Sequence, residues 1–138
     1  MTLLLVDTSA WHRSSQPVVV DAWRAALDAD RVAVTGPVRL EVLYSARSAA
    51  DYERLAGRLD ALHQLPCDAG AYALAEYVQR ELGRRVALHH RSVKHVDLVI
   101  AAVAELAGAT VWHYDADYER IADVTGQPTE WIVPRGAL

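Results

Sequence analysis

Apolar positions in this chain fall into short continuous runs and longer stretches of helical spacing, and the two kinds alternate. Thr2 to Val6 is a continuous apolar run after its first residue, as expected of a strand buried on both faces of a parallel sheet. Ala10 to His12 begins a short helix, and Ser14 to Pro17 is a loop. Val18 to Ala29 then repeats at helical spacing, with Val19, Ala22, Trp23, Ala26 and Leu27 on one side. Arg31 to Thr35 reads as a second strand, and Gly36-Pro37 opens a helix to Ala46 with proline at a favoured first position. Ala49 to Leu62 is a further helix, directing Tyr52, Leu55, Leu59 and Leu62 inward. Asp68 caps a long helix that reaches about Leu82 and ends at Gly83.

The most apolar stretch comes next. From Val96 to Ala107 every residue but Asp97 and Glu105 is apolar, so this helix is buried nearly all round. Gly108 stops it, Thr110 to Tyr114 follows as a strand, and a helix with Tyr118, Ile121 and Ala122 on its inner face comes after. Thr129 to Val133 is the last strand. Strands alternating with helices predict an α/β fold: three layers, α/β/α, around a central parallel sheet of about four to five strands. A length of 138 residues suits one domain over 1–138.

Composition narrows the class. Hydrophobic residues make up 52% and charged residues 23%, the balance of a globular protein. The single cysteine, Cys67, rules out an intrachain disulfide and a Cys-based zinc site. The first residues lack the basic lead-in of a signal peptide, and no run approaches the roughly 20 apolar residues of a membrane span, so a cytoplasmic, non-membrane protein is expected. The net charge of −4 argues against a polyanionic partner only until its distribution is considered. Five of the 18 acids, Asp7, Glu41, Asp97, Asp115 and Asp117, are candidates for one site; without them 14 basic residues face 13 acidic ones.

Those five acids carry the chemistry. Asp7 and Asp115 directly follow strands, where parallel sheets gather their ligands. Asp97 and Glu41 lie near helix N-termini that point to the same edge, and Thr8 and Ser9 add two hydroxyls beside Asp7. Each acid has a plainer reading as a cap, a first-turn acid or a solvated side chain. Their collection in one crevice is harder to dismiss. Carboxylates this close oppose folding unless a cation sits among them. Oxygen-only ligands favour Mg²⁺ or Mn²⁺ over zinc, and such ions serve phosphodiester hydrolysis. Arg84 to His95 is the one basic stretch, with Arg84, Arg85, Arg91 and Lys94 placed to hold a nucleic-acid backbone. His89, His90 and His95 within it read as solvated or phosphate-contacting. The four tryptophans read as packing residues, with Trp11 also placed to stack on a base. Phosphate-binding glycine loops and a G-x-S-x-G elbow are absent.

Four segments taken together, Leu4 to Trp11, Pro37 to Leu43, His95 to Ala102 and His113 to Ile121, resemble the PIN-domain ribonucleases, and among them the VapC toxins of bacterial VapBC toxin–antitoxin pairs. The resemblance spans the chain in order and spacing. It implies an α/β/α fold, a homodimer, and Mg²⁺- or Mn²⁺-dependent endonucleolytic cleavage of structured RNA such as transfer or ribosomal RNA. It also implies a VapB antitoxin that covers the active site. Carried over by motif, Asp7 and Asp97 are the principal metal ligands, and Glu41 positions or deprotonates the attacking water. Asp115 is placed at the metal with Asp117 as a further participant; Tyr118 stands where the family commonly has phenylalanine. Thr8 and Ser9 match hydroxyls that orient the carboxylates. The antitoxin groove is expected along Trp23, Leu40, Leu43 and Tyr44. Two other readings stand beside this one: a non-catalytic binding module whose acids only cap helices, and a flap-type DNA nuclease.

Overall fold

Leu4, Leu5 and Val6 have no polar side chain to satisfy, and all three are buried at the centre of the sheet. The computed structural model describes Met1 to Leu138. Its strands are β1 (Leu4–Val6), β2 (Val32–Thr35), β3 (His63–Leu65), β4 (Thr110–His113) and β5 (Thr129–Trp131). They form one sheet in the order β3-β2-β1-β4-β5, with every pair parallel. Register is fixed on both sides of β1 by Leu4 opposite Val32 and Val6 opposite Trp112.

Helices α1 (Thr8–Arg13) and α2 (Pro17–Asp28) join β1 to β2, and α3 (Gly36–Tyr44) and α4 (Ala49–Asp60) join β2 to β3. The return to β4 runs through α5 (Ala69–Arg85), a 3-10 turn at His89–Arg91, and α6 (His95–Ala107). Helix α7 (Asp117–Thr125) leads to β5. Right-handed crossovers put α1 to α4 over one face and α5 to α7 over the other. The winding direction reverses between β1 and β4, so a crevice opens beyond their carboxyl ends. The expected three-layer α/β/α architecture is therefore present.

Packing around the crevice is dense. Residues Asp97 to Ala104 of α6 are all buried, which explains the nearly unbroken apolar run. On the opposite face Trp23 stacks on Trp112 with ring centroids 5.7 Å apart, and Trp11 meets Trp23 edge-on at 5.6 Å. No helix is long and apolar enough to cross a membrane.

Four details differ from the sequence reading. Strand β3 lies where the α4 pattern trails off; it has three residues and gains its definition from pairing with β2, not from its own side chains. Gly83 does not end α5, which continues to Arg85. A Cβ at Gly83 would lie 3.2 Å from the Cβ of His90, so the glycine admits the close approach of the 3-10 turn. Ala22 and Leu27 of α2 face solvent while Val19, Trp23 and Ala26 are buried, a narrower inner stripe than expected. Tyr52 of α4 is likewise exposed, leaving Leu55 and Leu59 to anchor that helix.

Candidate metal centre

Asp7 ends β1 with extended backbone and caps α1: its Oδ1 accepts from the Ala10 amide at 2.9 Å and from Ser9 Oγ at 2.7 Å. Ser9 Oγ in turn accepts from the Tyr114 amide at 2.9 Å, tying the ends of β1 and β4 together. Burial raises the Asp7 pKa to about 6, against the opposing effect of the Ser9 and Ala10 hydrogen bonds. The neighbouring Asp115 charge adds to the rise.

Three more acids converge from α6 and from the turn after β4. Asp97 sits in the first turn of α6 and is buried. Asp115 lies two residues past the end of β4, one position later than a strand running to Tyr114 would place it; its amide donates to His113 Nδ1 at 3.1 Å and its Oδ1 accepts from the Asp117 amide at 2.9 Å. Asp117 opens α7, where Arg120 Nη1 lies 2.9 Å from its Oδ1 and the Lys94 amide 3.4 Å from its Oδ2. One carboxylate oxygen from each of Asp97, Asp115 and Asp117 lies within 4.8 Å of the others. Burial above all, then hydrogen bonding to Asp117 and the charges of Asp115, Asp7 and Asp117, holds the Asp97 carboxyl well above the usual carboxylate range. Its Oδ1 accepts from the Tyr118 hydroxyl at 3.3 Å, while its Oδ2 is buried with no partner.

This donor set fits a divalent ion. A buried carboxylate oxygen without a partner carries a desolvation penalty that a cation removes. The clustered negative charge favours the same occupant, and an all-oxygen set suits a hard ion. Asp7 stands outside the close trio, its Oδ1 already engaged in capping, but it remains near enough to interact with Asp97 and Asp115.

The remaining candidates are dispersed. Glu41 is exposed on α3, outside the trio, in a shallow cleft shared with Thr8, His12, Leu40, Tyr44 and Ser45. Thr8 Oγ1 is buried without a partner. Of the basic stretch, only Lys94 is paired with the acids, with Nζ 3.9 Å from Asp115 Oδ2. Arg84 pairs with Glu81, Arg85 donates to the Asp123 carbonyl, and Arg91 is exposed on the 3-10 turn. Trp11, Trp23 and Leu43 are buried, so none is open to a base or a partner; Trp11 is also covered by the Arg58 guanidinium, 4.8 Å from its ring centroid. Leu40 and Tyr44, at 69% and 92% exposure, are open.

Several contributors escaped the sequence reading. Arg120 was legible as a residue three positions after Asp117 on one helix. Arg13 donates to the Ser9 carbonyl at 2.9 Å and lies over the Tyr114 ring at 4.9 Å, with no sequence signal beyond its closeness to Asp7. His113 is fully buried between Tyr118 and Trp131, and burial pushes its pKa down to about 4. Its Nδ1 accepts from the Asp115 amide, which leaves the proton on Nε2. Alternation within β4 points it inward, but nothing in the sequence marks it as a support for Asp115.

Comparison with known proteins places these features in a family context. Residues 4–124 match the PIN domain family model. The chain is 59% identical to ribonuclease VapC18 of Mycobacterium tuberculosis (strain ATCC 25618 / H37Rv), covering 96% of this chain and 97% of that protein. It is 42% identical to ribonuclease VapC51 of the same strain, covering 97% and 96% respectively. The fold superimposes on that of DNA-bound VapBC from Salmonella typhimurium with a TM-score of 0.75 at 23% identity, over 96% of this chain and all of that one (100%). VapC20 of Mycobacterium tuberculosis, described as a sarcin–ricin loop cleaving toxin, superimposes with a TM-score of 0.59 at 17% identity, over 84% of this chain and 92% of its own.

Proposed function

The chain belongs to the PIN-domain family, among its VapC ribonucleases, and from that premise we propose that it is a metal-dependent endoribonuclease toxin. Its substrate is structured RNA such as transfer or ribosomal RNA, its effect is arrest of translation, and its inhibitor is a VapB-type antitoxin. The observation that carries the reading is the buried meeting of Asp97, Asp115 and Asp117 beside Asp7, at the point where the sheet reverses its winding.

The acids would hold Mg²⁺ or Mn²⁺: Asp97 and Asp115 with Asp117 from one side of the crevice, and Asp7 from the β1 side. Such an ion lowers the pKa of a water and offsets the charge that develops on a phosphodiester during in-line displacement. Every other task falls to the chain itself. Glu41, on the open side in the cleft with Thr8, is the exposed carboxylate available to take a proton from the attacking water. Lys94, Arg120 and Arg13 stand at the rim and hold the phosphates around the scissile bond. His113 stays neutral at pH 7 and fixes the backbone of Asp115.

The antitoxin reading is supported by Leu40 and Tyr44, which project from α3 on either side of Glu41 with their apolar surface open. A partner laid there would also close the cleft over Glu41.

Incubation of purified protein with total cellular RNA tests the activity. Discrete fragments formed with Mn²⁺ or Mg²⁺ and absent in EDTA are expected; intact RNA under every condition would overturn the reading.

A further inference from the structure

Tyr118 follows Asp117 in α7 and is fully buried, at 0% exposure. Its ring packs on His113 with centroids 4.8 Å apart, and a phenylalanine ring would fill that space as well. The hydroxyl is what packing leaves unexplained. A buried phenol needs an acceptor for its proton, and here the acceptors are the acids. It donates to Asp97 Oδ1 at 3.3 Å and also stands beside Asp7, whose ionised form it favours.

The four acids are not equally supported. Asp7 is held by Ser9 and the Ala10 amide, Asp115 by the Asp117 amide, and Asp117 by Arg120 and the Lys94 amide. Asp97 has Tyr118 as its one hydroxyl or N–H donor; its other close neighbour is the Asp117 carboxyl, which does not favour its ionised form, and its second oxygen is the buried, unpartnered one. The hydroxyl, set between Asp7 and Asp97, favours one rotation of the Asp97 carboxylate, with Oδ1 toward the phenol and Oδ2 as its unpartnered face.

We propose that Tyr118 is a positioning residue of the metal centre, its hydroxyl anchoring Asp97 Oδ1 so that Oδ2 is presented with Asp115 and Asp117 to the divalent ion. The inference rests on the metal-binding reading above. Hydrogen-bonding partners of metal ligands set ligand orientation, and losing one weakens metal binding by about 10- to 100-fold.

Tyr118→Phe keeps the ring and removes only the anchor. The experiment measures Mn²⁺ binding to wild type, Tyr118→Phe and Asp97→Asn by the electron paramagnetic resonance signal of free Mn²⁺, with circular dichroism confirming that each is folded. Tyr118→Phe is expected to bind Mn²⁺ about tenfold more weakly than wild type. Its RNA cleavage curve shifts to higher Mn²⁺ by the same factor, with the rate at saturating Mn²⁺ nearly restored, the signature of lost binding and not of lost chemistry. Equal Mn²⁺ affinity in wild type and Tyr118→Phe would overturn the proposal and reduce Tyr118 to packing. If wild type and Asp97→Asn both fail to bind Mn²⁺, the metal reading itself falls and this proposal with it.

Discussion

Ser9 Oγ accepts the Tyr114 amide hydrogen at 2.9 Å, joining two residues 105 positions apart. The same hydroxyl donates to Asp7, so one atom connects the ends of the two strands between which the sheet reverses. Ser9→Ala leaves a largely buried amide without its acceptor and a buried carboxylate short of a donor. Chemical denaturation is expected to show a loss of about 1–3 kcal/mol. A change below about 0.5 kcal/mol would mean that water replaces the clasp without penalty.

The acids give the metal-free protein an unusual pH dependence. Asp7 has its pKa raised from 3.8 to about 6, so between those values the folded state holds more protons than the unfolded one, and stability falls as pH rises. Asp97 acts with the same sign to higher pH. His113 acts oppositely: its pKa is lowered from 6.5 to about 4, so its contribution is complete above 6.5 and is lost as pH falls. From pH 6.5 upward the Asp97 effect therefore stands with little opposition. The melting temperature in EDTA is expected to fall over that range in wild type and to stay flat in Asp97→Asn. A wild-type profile as flat as the variant's would contradict the charge assignment.

Metal binding follows from the same protons. Ligands must ionise to bind, so the Mn²⁺-induced rise in melting temperature is expected to grow between pH 6 and pH 8 as Asp7 and Asp97 lose theirs. Thermal shift at fixed Mn²⁺ measures it. A rise independent of pH would point to binding elsewhere.

The basic residues divide by position. Lys94 stands beside Asp115, whereas Arg84 and Arg85 are engaged at the far end of α5. Lys94→Ala is expected to raise KM for RNA and to reduce the salt slope of binding by about one, as loss of one phosphate contact does. Arg84→Ala should change both less. Filter binding across a salt series compares them, and a larger effect at Arg84 would move the RNA path toward α5.

The partner surface is narrower than its sequence suggested. Leu40→Asp alters an exposed side chain and should leave the fold and metal binding intact while weakening a VapB-type antitoxin by about 30-fold, the scale of a buried anchor residue. Calorimetry with a VapB-type antitoxin that binds the wild-type protein checks this. Unchanged affinity would remove α3 from the interface.

Much of this was legible in the chain because it depends on local pattern. The apolar run of α6 marks a helix surrounded by protein, and strand ends followed by Asp7 and Asp115 mark a crevice. What was hidden depends on tertiary approach. Trp23 and Leu43 share helical faces with exposed neighbours, and only packing decides that they are covered. Strand β3 exists because β2 offers an edge. Gly83 carries the same residue type as a helix stop but serves a close contact with His90. The reach of the Tyr118 hydroxyl to Asp97 depends on how α7 lies against α6, which no spacing rule supplies.

The most direct measurement is cleavage of total RNA by folded Asp97→Asn beside wild type, at saturating Mn²⁺, with fragment ends mapped. The substitution keeps the shape of the side chain and removes its charge at the centre of the trio. Wild type should give a few discrete ends and the variant none above background. Equal fragments from both proteins would show that the acids of this crevice do not carry the reaction.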